Sequence, residues 1–219
     1  MRVRLIAITT LVDDIPEYVP QDSTTMASDE LAEEAGRLCY LSWNRPNPET
    51  ATNRGYLENI INQQHFSVLE HASASFYIDG VTRNFTHELI RHRHLSFSEL
   101  SQRYVDVGSM PFVMHPGLAN KEVPRIAAVV EQNRALYTQF VHEGMSENVP
   151  RKLIRQAARH VLPSGLETKI LVSGNMRAWR EVLSKRLSPT ADAEFREVAK
   201  EILTLLKKAA PNTFQDFPD

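Results

Sequence analysis

The chain has 219 residues, with 25 Lys plus Arg against 27 Asp plus Glu, a formal net charge of -2, 42% hydrophobic and 24% charged residues. At roughly 150 residues per domain this is one domain or a tight pair with ample length for a core, which excludes a stapled mini-protein and a wholly disordered chain. Cys39 is the only cysteine, so an intramolecular disulfide, a Cys-x-x-Cys pair and a multi-cysteine zinc site are excluded and a reducing cytosol fits.

Residues 2–8 read as a short strand whose apolar run is too short for a signal sequence. No stretch approaches the roughly 18 apolar residues of a membrane span, so a cytoplasmic protein without membrane contact is expected. Ser28 is placed to cap a helix through Trp43, with Asp29, Glu30, Glu33 and Glu34 on the favourable side of the dipole. Thr50 is placed to open the next helix, to Gln64. Ala72 to Asp79 is rich in strand formers and Gly80 ends it; a helix over 81–93 follows. Ser101 to Val107 reads as extended, and the stretch around Pro111, Pro116 and Gly117 as loop. Helices are expected over 121–144 and 150–161, a strand over Glu167 to Ser173, and helices over 175–187 and 191–209. This irregular alternation favours α+β over a doubly wound sheet.

The eight glycines, at 36, 55, 80, 108, 117, 144, 165 and 174, form no Gly-x-Gly-x-x-Gly and no phosphate loop, so a nucleotide would have to be held by side chains. Arginine makes up 18 of the 25 basic residues, and its planar fork suits phosphates and carboxylates. Residues 1–82 carry 5 basic and 12 acidic side chains, whereas 151–186 carry 9 basic and 2 acidic. A near-neutral whole hides a cationic segment.

The densest polar cluster runs from His87 through Glu88, Arg91, His92, Arg93 and His94 to Glu99, Ser101, Gln102, Arg103 and Tyr104. On a helix Glu88 and Arg91 share a face, while Arg91 and Arg93 diverge by about 160° and so suit two anionic groups. The alternative is a solvated basic helix end, since cations favour a helix C-terminus. The histidines lack the spacing of a two-His zinc helix, so no metal site is expected. Cys39 reads as a small core residue. Arg151, Arg155 and Arg159 fall on one helical face and need anions; nucleic-acid phosphates are one possibility, opposed by the acidic first third of the chain and by the lack of interleaved aromatics. Asn175 and Arg186 lie at opposite ends of one helical stretch and project within about 20° of each other, with Trp179 and Val182 between. Read blandly, the last two are core and the polar ends incidental.

Arg91-His92-Arg93, seven further residues and then Ser101 resembles the signature of the flavin-dependent thymidylate synthases. Gly36 to Tyr40, His65 to His71, Gln156 to Arg159 with Leu162-Pro163, and Gly174-Asn175 through Arg186 resemble other segments of that family in order and spacing, covering nearly the whole chain. The resemblance implies a single domain over 1–219 with a central mixed sheet flanked by helices. It also implies conversion of dUMP (deoxyuridylate) to dTMP (thymidylate), with methylenetetrahydrofolate as carbon donor, FAD as redox relay and NADPH as reductant, releasing tetrahydrofolate. A homotetramer with shared active sites is implied, and no nucleic-acid partner.

Residue by residue, the resemblance places Ser67, Arg91, His92, Arg93, Glu99, Asn175, Met176, Arg177 and Glu181 at FAD. It places Glu88, Leu89, Ile90, Arg91, Glu99, Leu100, Ser101, Gln102, Arg103, Arg159 and Arg186 at dUMP, with Arg186 as the catalytic residue that activates the uracil. Arg186 would stabilise charge as the ring imide ionises, and Ser101 would bind phosphate rather than attack. The chain departs from the family at Glu181, where Asn or His is usual, and at Pro189-Thr190, where a more polar, His-containing pair is usual. Flavin affinity is the property these changes touch. Glu181 is expected beside the flavin, held by Arg177 or Lys185 four residues to either side.

Overall fold

The computed structural model describes residues 1–13, 16, 25–45 and 47–218. Among them four strands, β1 (Arg2–Ile8), β2 (Ser73–Thr82), β3 (Leu95–Glu99) and β4 (Glu167–Asn175), form one sheet in the order β1-β2-β4-β3. Each neighbouring pair runs antiparallel. Thr9 N–H donates to the Ser73 carbonyl while Arg2, at the start of β1, pairs with Asp79. Ser75 and Ser173 share a hydroxyl hydrogen bond as Arg83 N–H donates to the Ser164 carbonyl, and Leu100 N–H donates to the Lys169 carbonyl. The α+β class is as expected, and the sheet is antiparallel where a mixed one was implied. Alternate residues of β2 (Ala74, Phe76, Ile78) and β4 (Thr168, Ile170, Val172) are buried, the period-two pattern of strands packed on one face.

The α-helices of the described residues are α1 (Ala27–Leu38), α2 (Asn53–Asn62), α3 (Arg83–Leu89), α4 (Val123–Ser146), α5 (Arg151–Ala158), α6 (Met176–Arg186) and α7 (Ala193–Ala209). The chain packs as two compact units. The first comprises Met1–Arg2, Ile78–Arg91 and Phe97–Leu171; the second comprises Val3–Tyr77, His92–Ser96 and Val172–Asp219.

In the first unit Val107, Tyr137, Ala158 and Leu166 form a buried cluster joined by Leu100, Met110, Val141, Val161 and Leu162. In the second, Trp179 is buried edge-on against Phe76, ring centroids 4.9 Å apart, and its indole N–H donates to the Ala74 carbonyl. Phe195, Val198, Ile202 and Leu206 bury one stripe of α7, each such side chain contributing about 1.5–3 kcal/mol. Asp29 of α1 is also buried in this unit, accepting hydrogen bonds from the N–H groups of Asn212 and Thr213 and from the Thr213 hydroxyl. Burial outweighs those bonds and raises its carboxyl pKa to about 6.

Several element boundaries differ from the sequence reading. Helix α1 stops at Leu38 rather than Trp43, because Leu41 takes a positive φ of 49° and Trp43 folds back to donate its indole N–H to Glu34. Met26, not Ser28, occupies the N-cap position of α1, and Ser28 is buried. Thr50 ends a short 3-10 turn, and Thr52 caps α2 by accepting from Gly55 N–H. Gly80 does not end β2 but lies within it at φ 70°, where an added Cβ would meet the backbone of Met1. Helix α3 ends at Leu89 instead of running to 93, so Arg91 to His94 form a turn and their spacing is not helical. The chain must reverse there because β3 begins at the buried Leu95, whose N–H donates to the His92 carbonyl. The extended segment is therefore 95–99, and Ser101 to Val105 is a turn in which the N–H groups of Tyr104 and Val105 donate to the Ser101 carbonyl.

Candidate active site

Helix α6 organises the polar residues of the second unit. Asn175 ends β4 and caps α6, its side chain accepting from Ala178 N–H at 2.8 Å. Around this helix start lies a cavity of about 280 Å³ lined by Glu70, His94, Asn175, Arg177, Ala178 and Glu181. Arg177 pairs with Glu70 at 2.5 Å, and Lys185 with Glu181 at 2.5 Å. Of the two partners expected for Glu181, Lys185 is thus the one that holds it, and its hydrogen bond lowers the Glu181 carboxyl pKa. A neighbouring cavity of about 410 Å³ shares Arg177 and is lined by Ser67, Tyr40, Tyr56 and Cys39 among others. Cys39 is exposed at this wall and donates to the Ala35 carbonyl, so it is not the core residue its helical position suggested. Met176 is buried with its N–H donated to the Ala72 carbonyl. Trp179 and Val182 are core, as the bland reading had them.

At the far end of α6, Arg186 donates from Nε to Nε2 of His92 at 3.0 Å and lies over the Phe195 ring, 4.4 Å from its centroid. Burial, then the charges of Arg186 and Lys185, push the His92 pKa down to about 4. His92 is neutral, and Arg186 is held in place on two sides.

The first unit holds Arg91 and Ser101 of the signature, together with Glu88 to Ile90 and Glu99 to Arg103. Glu99 accepts from the hydroxyls of Thr86 and Thr168 at 2.9 and 3.0 Å and pairs with Arg83 at 3.0 Å. Glu88 is partly exposed and Ile90 exposed, whereas Leu89 is fully buried and Leu100 packs on the core. Gln102 is buried, and Ser101 Oγ accepts from Arg103 N–H. Arg155 does not share a free cationic face with Arg151 and Arg159, because it donates to the Tyr104 carbonyl at 2.6 Å and lies 3.7 Å from Asp106. Lys152 hydrogen-bonds Tyr104 and draws its hydroxyl pKa down.

Arg91 and Arg93 are exposed, Arg103 and Arg159 partly buried. Among the described residues none of these four guanidinium groups has an ion pair or a side-chain hydrogen bond. None of the four has a carboxylate partner among those residues, although Arg103 lies over the Tyr104 ring 5.8 Å from its centroid, whereas Arg2, Arg37, Arg83, Arg177 and Arg180 are each paired with a carboxylate. Glu70 and His94 were absent from the sequence-derived site set. Both stood in segments already singled out, His65 to His71 and His87 to His94.

An α+β scaffold that lacks a phosphate loop and carries arginines without carboxylate partners has the features of a class of protein that binds anionic ligands through side chains. A family model described as thymidylate synthase complementing protein matches residues 23–212, and the chain belongs to that family. It is 49% identical over 226 residues to the flavin-dependent thymidylate synthase of Mycobacterium marinum (strain ATCC BAA-535 / M), covering 99% of this chain and 90% of that protein. The proteins of the same name from Mycobacterium avium (strain 104) and Mycobacterium tuberculosis (strain ATCC 25177 / H37Ra) are 48% and 47% identical, with the same coverage. No helix among the described residues is long and apolar enough to cross a membrane.

Proposed function

We propose that the chain is a flavin-dependent thymidylate synthase that works as one domain over 1–219 in the cytoplasm. It methylates dUMP to dTMP, with methylenetetrahydrofolate as carbon donor, FAD as redox relay, NADPH as reductant and tetrahydrofolate released. The observation that carries this reading is the constraint on Arg186, fixed by neutral His92 and the Phe195 ring on the helix whose other end lines the cavity with Asn175 and Arg177.

The donor set fits a dinucleotide with a pyrophosphate. The carboxylates lining the smaller cavity are each neutralised, Glu70 by Arg177 and Glu181 by Lys185, so neither presents an unopposed negative charge. Ser67, Asn175, Arg177 and the uncommitted Arg91 and Arg93 would hold the flavin, with His92, Glu99 and Glu181 beside it. Met176, its side chain in the core, has only main-chain atoms to offer. When bound, FAD supplies the hydride chemistry.

Glu88, Ile90, Leu100, Ser101, Gln102, Arg103 and Arg159 would hold dUMP, with Arg91 and Glu99 common to both ligands and Leu89 contributing main chain only. Arg103 and Arg159 suit its phosphate, since a charge-assisted fork binds such an anion strongly. Arg186 remains protonated and so cannot be the base; it stabilises the negative charge that develops on the uracil. A homotetramer with active sites shared among subunits belongs to the same proposal.

Arg186→Lys keeps the charge and loses the planar fork. The expected result is a fall in turnover of about 100-fold or more with FAD still bound by calorimetry. Near-normal turnover would remove Arg186 from catalysis, and a wild-type protein that binds no FAD would overturn the reading as a whole.

A further inference from the structure

Arg180 lies on α6 one turn beyond Arg177 and is buried. Its guanidinium donates to both carboxylate oxygens of Asp216, Nη1 to Oδ1 and Nη2 to Oδ2 at 2.7 Å each, and Nη1 also donates to the Thr213 carbonyl at 2.6 Å. The same group sits between two rings, 5.3 Å from the centroid of Phe66 and 5.0 Å from that of Phe217. Phe66 and Glu70 are the first and last residues of a 3-10 turn. Residues 177 and 180 are three apart on a helix and share a face. Arg177 grips the turn at Glu70 and Arg180 grips it at Phe66, with Ser67 between. Phe66, Ser67 and Arg177 all line the larger cavity, and Glu70 and Arg177 the smaller one.

We propose that Asp216 and Arg180 are positioning residues for the cofactor site, a clamp that sets the 66–70 turn against α6. The bidentate carboxylate fixes the plane of the guanidinium, and that plane fixes the Phe66 ring. Without Asp216 a buried cation loses its neutralising partner and must reorient, and the turn loses its hold at Phe66. The clamping segment, 213–217, lies beyond the residues 23–212 that the family model matches. The inference rests on the flavin reading, since it assigns Ser67, Glu70 and Arg177 a common task at that ligand.

The test is Asp216→Asn, which keeps the shape and removes the charge, with Asp216→Glu as the conservative rescue. Hydrogen exchange of the 66–70 amides is read in protein without added FAD, and FAD affinity by calorimetry. In Asp216→Asn, exchange is expected to rise at 66–70 but not along α4, FAD affinity to fall about fivefold or more, and turnover at saturating FAD to stay within about twofold of wild type. Asp216→Glu is expected to recover most of the affinity. Unchanged exchange and affinity in Asp216→Asn would overturn the clamp while leaving the flavin reading intact. A rise in exchange throughout the chain would overturn it too, by reducing Asp216 to general stability. If the wild type binds no FAD, the flavin reading falls and the clamp's role falls with it.

Discussion

The Nε–H of Arg186 points at Nε2 of His92 from 3.0 Å, and that bond decides the state of the imidazole. Guanidinium has no acceptor and keeps its proton, so Nε2 must be the bare nitrogen and the ring must be neutral. The His92 pKa, lowered to about 4 from 6.5, follows from burial first and the neighbouring cations second. Between those two pH values the unfolded chain binds the proton and the folded one does not. The contribution to stability is therefore complete above about 6.5 and is lost as pH falls toward about 4. Titration of the His92 ring by NMR is expected to show half-protonation near pH 4, and a midpoint near 6.5 would contradict the hydrogen bond. Glu181 gives a second prediction. Its carboxylate is already spent on Lys185, so Glu181→Asn is expected to keep activity and to bind FAD as tightly or more tightly. A marked loss of FAD affinity by calorimetry would mean that the carboxylate itself is a ligand. The Glu181–Lys185 pair was legible in the sequence because a helix fixes the i, i+4 neighbour. The His92–Arg186 bond was not, because it joins residues 94 apart that only the folded chain brings together.

Among the elements, β1, β2, β4 and the long helices were legible from strand-forming composition and cap signals, whereas β3 was missed, its extended segment being read at 101–107, and the other errors gathered where the chain reverses. The sequence reading runs a helix over 81–93, yet burial of Leu95 and the return into β3 end it at Leu89. The signature triplet consequently sits on a turn with His92 half-buried, and the exposed Arg91 and Arg93 owe their accessibility to that early stop. The pairing of α1 with α2 was equally hidden from local sequence. Gly36 lies buried where a Cβ would collide with the Tyr56 ring and hydroxyl, and Arg37 holds that ring by stacking, 4.4 Å from its centroid. Gly36→Ala is expected to destabilise the protein by about 1–3 kcal/mol, because the clash outweighs the gain in helix propensity. Thermal denaturation checks this: a fall of roughly 2–10 °C is expected, and an unchanged midpoint would contradict the contact.

For the molecule as a whole, the charge asymmetry and the lack of a glycine loop already pointed to arginine side chains as the means of holding anions. The structure divides those arginines into two populations. Arg155, read from sequence as part of a phosphate-tracking stripe, is committed to Asp106 and the Tyr104 carbonyl, which weakens the nucleic-acid alternative. Among the described residues Arg91, Arg93, Arg103 and Arg159 have no carboxylate partner, and all four stand at positions proposed for FAD or dUMP. No local pattern distinguishes the two populations, since pairing depends on where the carboxylates fall in the folded chain. The most direct measurement is product analysis of the purified chain supplied with dUMP, methylenetetrahydrofolate and NADPH, with and without FAD. The account predicts dTMP and tetrahydrofolate only when FAD is present, with NADPH oxidation accelerated by dUMP. Absence of dTMP in the complete mixture, or dihydrofolate as the folate product, would contradict it.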